Sequence, residues 1–271
     1  MRNLVVLLTL LAYNLLVSIR GVDVMPIHIS ADLYQIGESV CGTDGWCEAV
    51  RVYVLLNNGR PLIFDAGSHL HTAPLMADLK CLIGDMKPSY VFLTHTELPH
   101  TGNMTAIRNA WPDIEFVVSS GILPHVELPW WVKPASVRFG YPGTDEIFAG
   151  RRISFLDAML KDQPGTHWMY DHQTGTLFTA DAFGYLFPVS ADQQLDDEME
   201  NGIPMDWLRR YHEAAFRFLK LSSADRVIAD FDRVFSNRNV SVIAPTHGNA
   251  IRGDVTQCRS RFNNAMRQLC R

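Results

Sequence analysis

Short apolar runs alternate along the chain with stretches of helical spacing. The runs are rich in Val, Ile, Leu and aromatic residues and are bounded by polar or turn-forming residues, so they predict short buried strands. The predicted strands are His28–Ile36, Ala49–Leu56, Pro61–Asp65, Tyr90–Thr94, Glu115–Ser119, Ser136–Phe139, Arg152–Leu156, His167–Asp171, Thr176–Thr179 and Val240–Ala244.

Between these runs, apolar residues recur three and four positions apart, which predicts helices. The predicted helices cover about Ala73–Ile83, Gly102–Ala110, a short segment near Gly121, Met205–Leu219 and Ala224–Phe235. Early and late strand-rich halves, each followed by helices, predict an α/β (α+β) fold. We expect a four-layer αββα sandwich, in which two sheets face each other and helices cover both outer faces.

The chain has 271 residues, of which 47% are hydrophobic and 20% are charged. This length allows one large core or two small ones, and we find no low-complexity tract, internal repeat or long charge run that would mark a linker. We therefore expect one domain, residues 25–271, after an apolar N-terminal segment, residues 1–24. The net charge of −5, with Lys and Arg scattered, gives no indication of nucleic-acid binding.

The N-terminal segment contains the apolar run Leu4–Ile19, which is interrupted by Thr9, Asn14 and Ser18. The run is short and polar for a membrane-spanning helix, which needs about 20 apolar residues. A signal peptide with Arg2 as its positive start is one interpretation, although no Ala-x-Ala-like cleavage site follows. A mis-assigned start is another. The localisation therefore stays open between cytoplasmic and exported or membrane-tethered.

Five cysteines leave two interpretations open. Cys41 and Cys47 flank a Gly-rich loop and could pair if the protein is exported. The odd total and the scattered Cys81, Cys258 and Cys270 favour the other interpretation, in which the cysteines are small buried side chains with one or two exposed thiols.

The segment Thr94–Asn103 places two imidazoles and a carboxylate, His95, Glu97 and His100, within six residues. The apolar run Tyr90–Leu93 before it predicts a buried strand whose end delivers these polar side chains into a loop. Two histidines and a glutamate at this spacing are typical of metal ligands.

Read with Leu62–Gly67 before it, and with Gly175–Gly184 and Ala244–Gly248 after it, this segment resembles the metallo-β-lactamase superfamily. The resemblance extends from about Ile27 to Gly253. Most members carry His-x-His-x-Asp-His and bind two zinc ions. The flavodiiron and related oxygen-binding diiron proteins carry His-x-Glu-x-Asp-His and bind iron.

Glu97 places the chain closer to the iron-binding branch. The resemblance implies that Asp181 bridges two metal ions and that His247 is the last ligand. The full set of metal ligands implied in this way is His95, Glu97, His100, Asp162, Asp181 and His247.

Two positions depart from the family pattern. Pro99 stands where an aspartate is expected, and Asp162 stands where a histidine is expected, with His167 as the alternative ligand if the loop has a different register. One metal would have His95, Glu97, Asp162 and Asp181, whereas the other would have only His100, His247 and Asp181, so the second site is expected to be weak. Carboxylates in place of imidazoles favour iron, or manganese, over zinc.

The function that the resemblance implies is a dinuclear non-haem iron protein that binds or reduces dioxygen or a related small oxidant. The alternative is a zinc or iron hydrolase of an ester, lactone, amide or phosphoester, in which a metal-bound water attacks. A third is a degenerate member that binds metal without turnover. We expect O2 or another small molecule as substrate. Because no flavodoxin-like segment follows His247, we also expect either a separate electron-donor protein or a sensor that only binds O2. A homodimer stays open.

Overall fold

Two β-sheets lie face to face at the centre of the fold. The structure is a computed structural model, which describes residues 26–119, 129–191 and 194–270. The apolar segment 1–24 and the short helix predicted near Gly121 lie outside the described residues. Among the helices that are described, none has the length and apolar character needed to cross a membrane.

Fifteen strands are described in these ranges. They are β1 (Ile27–Ser30), β2 (Leu33–Ile36), β3 (Ser39–Cys41), β4 (Trp46–Ala49), β5 (Val52–Leu55), β6 (Leu62–Phe64), β7 (Tyr90–Phe92), β8 (Glu115–Ser119), β9 (Arg138–Gly140), β10 (Asp145–Phe148), β11 (Arg151–Asp157), β12 (His167–Asp171), β13 (Thr176–Ala180), β14 (Leu186–Pro188) and β15 (Val242–Pro245). The first sheet has the order β1-β2-β5-β6-β7-β8-β9, the second β10-β11-β12-β13-β15, and a small third sheet β14-β4-β3.

The longer α-helices lie on the outer faces of the two large sheets, and one single-turn helix carries His100. They are α1 (Thr72–Ile83), α2 (Leu98–Thr101), α3 (Met104–Ala110), α4 (Met205–Ala215), α5 (Ala224–Ser236) and α6 (Val255–Leu269). Short 3₁₀ helices cover Asn57–Gly59, His69–His71, Pro134–Ser136, Val189–Ala191, Asp196–Glu198 and Arg217–Leu221.

Alternation of side chains along the strands produces the four layers. In β5, Val52 and Val54 belong to the apolar cluster that includes α1 and α3, whereas Tyr53 and Leu55 belong to the cluster between the two sheets. A third cluster joins the outer face of the second sheet to α4, α5 and α6. Since successive side chains of a strand point to opposite faces, each sheet is covered on both sides. This arrangement confirms the predicted αββα sandwich.

Several predicted elements are divided in the structure. The predicted strand His28–Ile36 is the hairpin β1–β2, turned at Ala31, whose φ is +43°. The predicted helix Met205–Leu219 ends at Ala215, because the buried Phe216 leaves helical geometry at φ −115° and ψ 65°. The short strands β3, β4, β10 and β14 and the helices α2 and α6 were not predicted.

A hairpin closed by a disulfide forms most of the small third sheet. Cys41 of β3 and Cys47 of β4 are register partners and are joined by a disulfide. The interpretation in which these two residues pair is therefore the one that the structure supports. Cys81 is exposed, Cys258 is buried and Cys270 is half-buried, all as free thiols.

A buried ion-pair cluster connects the two large sheets. Arg151, at the start of β11, donates to Asp171 at the end of β12 over 2.7 and 2.8 Å. The same guanidinium donates to Asp32, in the β1–β2 turn of the first sheet, over 2.6 Å. Arg151 and Asp171 have fully buried side chains, so the cluster fixes one sheet against the other at the end of β12 opposite its start at His167.

Candidate metal centre

The candidate ligands lie in loops that follow four strands. The segment containing His95, Glu97 and His100 follows β7, Asp162 follows β11, Asp181 follows β13 and His247 follows β15. Asp65, which contacts His100, follows β6. Strand β6 is parallel to β7, and β13 is parallel to β15. Because parallel strands end at the same edge of their sheet, residues far apart in sequence converge at one edge of the sandwich.

His95 is the centre of one group of side chains. Its Nε2 atom lies 3.6 Å from Asp162 Oδ2, 3.9 Å from Asp181 Oδ1 and 4.0 Å from Glu97 Oε2. One donor atom from each of these four residues lies within 4.8 Å of all the others, a separation at which they could hold a single metal ion. The His95 side chain is fully buried, whereas Glu97 is about one-third exposed, at 36%.

His100 and His247 form a second group around the same carboxylate. His100 Nε2 lies 3.1 Å from Asp181 Oδ1, and His247 Nε2 lies 3.6 Å from it. Among the described residues, the second combination whose donor atoms satisfy the distances of a metal site is His95, His100 and Asp181, and His247 lies outside it. Asp181 Oδ1 therefore lies within 4 Å of a ring nitrogen of His95, His100 and His247, at 3.9, 3.1 and 3.6 Å.

Asp65 fixes the orientation of His100. Its carboxylate accepts hydrogen bonds from the Thr94 backbone N–H at 2.8 Å and the Thr246 hydroxyl at 2.6 Å, and it pairs with His100 Nδ1 at 2.8 Å. Asp65 is buried and has a φ of +62°, a strained conformation for a residue other than glycine. This contact leaves His100 Nε2 directed at Asp181.

The electrostatics of the group favour a cation. Burial raises the pKa of Asp162 to about 7, assisted by the neighbouring Asp181 carboxylate. Burial and the neighbouring His100 lower the pKa of His95 to about 3. Burial alone would raise the pKa of Asp181, but His95, His247 and His100 hold it well below its ordinary value. Among the described residues that line the adjoining cavity there is no Lys or Arg to neutralise these carboxylates.

Several donor atoms of the site are buried without a hydrogen bond. Both ring nitrogens of His95, Nε2 of His100 and Oδ1 of Asp181 find no hydrogen-bond partner among the described residues. Leaving such atoms unsatisfied in a buried position is costly. A metal ion would satisfy His95 Nε2, His100 Nε2 and Asp181 Oδ1 together, although not His95 Nδ1, so the donor set fits a bound cation.

A cavity of about 410 Å³ opens onto the carboxylates. Its lining residues are Glu48, Glu97, Pro99, Asp162, Gln163, Asp181, Leu186, Tyr211, Ala214, Ala215 and His247. Pro99 lies on this wall, as expected from its sequence position, and contributes no donor atom. Gln163 donates to Glu97 Oε1 at 2.7 Å, and the Tyr211 ring stacks on the His247 ring at 5.4 Å.

Sequence reasoning missed Glu48, Gln163 and Tyr211, since no local motif marks them. In the loop between β11 and β12, Asp162 lies beside His95, with 3.6 Å between Asp162 Oδ2 and His95 Nε2. His167 lies instead in the core, with its ring 5.6 Å from that of Phe155, and it belongs to neither metal-competent group of the described residues.

The chain is similar to metalloproteins of known sequence and structure. Residues 49–248 match the model of a family described as "ODP family beta lactamase". A nitric oxide reductase of Moorella thermoacetica is 24% identical over 179 residues, which cover 64% of this chain and 42% of that protein. A coenzyme F420H(2) oxidase of Methanothermobacter marburgensis is 26% identical over 219 residues, which cover 77% and 48%. The chain thus spans less than half the length of these relatives.

The fold is that of a solved flavo di-iron protein. A mutant of this protein from Thermotoga maritima superposes with a TM-score of 0.74 at 17% identity, and the match covers 89% of this chain and 62% of that one. The likeness confirms the predicted fold class.

Proposed function

The chain belongs to the ODP family of beta-lactamases, and from this premise we propose that it is a diiron protein that binds or reduces dioxygen or a related small oxidant. The observation that carries the proposal is the convergence of His95, Glu97, Asp162 and Asp181 on one point. Three carboxylates and one imidazole suit iron or manganese better than zinc. The two relatives are named as a reductase and an oxidase, which favours oxidant chemistry over hydrolysis.

The residues present divide into two incomplete shells that share one carboxylate. We assign His95, Glu97, Asp162 and Asp181 to one iron ion, and His100, His247 and Asp181 to the other. Bound iron would supply the one-electron redox chemistry that reduction of dioxygen or nitric oxide needs. With only three protein donors, the second ion is the more weakly held of the two.

Other side chains of the site hold donors in place and control protons. Gln163 holds Glu97 from the cavity side through its amide N–H. Burial, with the neighbouring Asp181, raises the pKa of Tyr211 well above its ordinary value, so its hydroxyl keeps its proton near neutral pH. Gly184 makes room for this ring, because a Cβ atom there would lie 2.5 Å from a Tyr211 carbon. Tyr211 is therefore a proton-bearing group on the cavity wall.

Electrons must come from a reductant, and we propose a separate donor protein or coenzyme. The name of the Methanothermobacter relative specifies a reduced coenzyme as its electron source. The cavity wall formed by Leu186, Ala214 and Ala215 is apolar and suits a small uncharged oxidant such as O2 or NO.

Metal analysis together with oxidant consumption tests the proposal. Protein loaded anaerobically with Fe²⁺ is expected to retain iron by inductively coupled plasma analysis. It should consume O2 or NO in the presence of a chemical reductant, with a change in its ultraviolet-visible spectrum. A colourless protein that prefers zinc, consumes neither gas and hydrolyses esters or lactones would contradict the proposal.

Pro99→Asp is expected to tighten binding of the second metal ion by roughly tenfold or more, because it places a carboxylate on the cavity wall beside His100. The substitution lies in the first turn of α2, where an acidic residue is tolerated. Equilibrium dialysis with metal analysis should show the stoichiometry moving toward two ions per chain. Leu98→Asp is the matched control, since Leu98 is exposed and does not line the cavity; an equal gain in both variants would mean that position 99 is not at the site.

A further inference from the structure

His100 and His247 each have a carboxylate close to the ring nitrogen Nδ1. The His100 contact with Asp65 is a hydrogen bond, whereas His247 Nδ1 is in close ion-pair contact with Glu48 without the angle of a hydrogen bond. His100 Nδ1 lies 2.8 Å from Asp65, and His247 Nδ1 lies 2.7 Å from Glu48 Oε1. In both rings the opposite nitrogen, Nε2, faces Asp181, at 3.1 and 3.6 Å respectively. The first contact follows a motif of the sequence, whereas the second joins residues 199 positions apart and follows from no motif.

We propose that Glu48 is the positioning residue of His247, which keeps this histidine ready to bind the second metal ion. The inference rests on the proposed metal centre and adds to it a carboxylate from outside both large sheets. A metal-binding histidine commonly donates its other ring N–H to a carboxylate, which sets the tautomer and the ring orientation. The negative charge of Glu48, 2.7 Å from Nδ1, favours a proton on that nitrogen and so leaves Nε2 unprotonated on the side of Asp181.

The need for such a partner comes from Asp181 itself. Without Glu48, the carboxylate that faces the His247 ring is Asp181, on the side of Nε2. A proton drawn to Nε2 by this charge would occupy the lone pair that a metal requires. The contact from Glu48 therefore opposes the tautomer that cannot bind metal. The contact acts on the second group of ligands, which lacks one donor because Pro99 stands where an aspartate is expected.

The small third sheet holds Glu48 in this position. Glu48 lies in β4 opposite Val40 of β3 and Leu186 of β14, so strands pair with it on both sides. Its neighbour Cys47 is buried and is tied to Cys41 by the disulfide. The Glu48 side chain is 43% exposed and lies on the cavity wall. Its backbone is fixed while its carboxylate reaches His247 without being buried.

Two substitutions separate positioning from other roles. Glu48→Ala removes the acceptor and is expected to weaken the second metal equivalent by about 10- to 100-fold, with the first equivalent changed by less than about twofold. Glu48→Gln keeps an oxygen that accepts from Nδ1–H and is expected to restore most of the affinity. Competition titrations with Co²⁺ or Zn²⁺ measure both equivalents. Glu115→Gln, at the exposed start of β8, is the matched control and should change neither.

A second measurement requires no metal and no activity. Nitrogen-15 NMR of the imidazoles in metal-free protein, at a pH where His247 is neutral, is expected to show the Nδ1–H form in the parent and in Glu48→Gln. In Glu48→Ala the proton should shift toward Nε2. This readout stands even if the native metal proves to be zinc or if no oxidant is consumed, so failure of the proposed function and failure of this inference can be distinguished.

Three outcomes of these experiments decide for or against the role of Glu48. An unchanged tautomer in Glu48→Ala overturns the inference, whether or not a second equivalent can be titrated. A loss in Glu48→Gln as large as that in Glu48→Ala also overturns it, because the charge would then act as a direct ligand. The shifted tautomer, with affinity recovered in the glutamine variant, supports it.

Discussion

Asp181→Ala is expected to abolish high-affinity binding of both metal equivalents, each by at least about 100-fold, which exceeds the usual effect of a residue outside the ligand shell. Asp181 Oδ1 faces His100 at 3.1 Å, His247 at 3.6 Å and His95 at 3.9 Å, so this one oxygen belongs to both groups of donors. Metal analysis after dialysis should find little iron. The rise in melting temperature that metal gives the parent should disappear, because that rise depends on binding to the folded state.

His95→Ala shows whether the two shells are separate. It should remove the first equivalent and leave at most a weak second one, since His95 belongs to the group with Glu97 and Asp162 and also to the group with His100 and Asp181. Asp157→Asn is the control. Asp157 is an exposed carboxylate at the end of β11, and it forms an ion pair with Lys161. Full metal retention in Asp181→Ala would remove the basis of the assigned centre.

Much of the site could be anticipated because its residues follow strands that are recognisable locally. Leu93 precedes the loop of His95, Ala180 precedes Asp181 and Pro245 is two residues before His247, each at the end of a buried apolar run. A charged side chain at the end of such a run needs a partner that offsets its burial. This argument depends on a few consecutive residues, so a single sequence carries it.

The other residues of the site could not be recognised from their neighbours in the sequence. Glu48 reaches His247 only because a disulfide-closed hairpin lies against β14, and Tyr211 reaches the same ring from α4. Glutamate and tyrosine at these positions look like an ordinary strand residue and an ordinary helix residue. Asp162 was identified through family spacing rather than through any pattern of its own. Long-range packing decides these contacts, and packing leaves no periodic signal.

The boundaries of strands and helices also depend on long-range packing that neighbouring residues do not reveal. The turn at Ala31 and the break at Phe216 interrupt runs whose apolar pattern continues without a gap. In each case tertiary contacts outweigh local propensity, since Phe216 is fully buried among apolar residues of the second sheet's outer cluster. The helix α6 was missed because its sequence is mostly polar, although Phe262 and Met266 bury one face of it.

Asp171→Asn is expected to lower the free energy of unfolding by about 3 kcal/mol at neutral pH, because it removes one partner of a buried ion pair and leaves the Arg151 charge less compensated. Arg151 keeps Asp32 at 2.6 Å, which places the effect at the lower end of the range for such pairs. Urea unfolding of parent and variant at the same metal content measures the difference.

The pH dependence of this difference has a definite sign. Burial would raise the pKa of Asp171, but hydrogen bonds from Arg151 and Thr174 hold it below its ordinary value. A carboxylate whose pKa is lower in the folded state stabilises the protein above its unfolded pKa, about 3.9, and that contribution is lost as the pH falls through the folded value. The difference in unfolding free energy between parent and Asp171→Asn should therefore be constant from about pH 5 to 7 and should narrow below about pH 4.

Asp206→Asn provides the comparison, because Asp206 pairs with Arg209 and Arg210 at the exposed surface and its loss should cost less than about 1 kcal/mol. Equal losses in the two variants would show that the buried pair does not fix the sheets against each other. A gap that widened in acid would show that Asp171 is protonated in the folded protein.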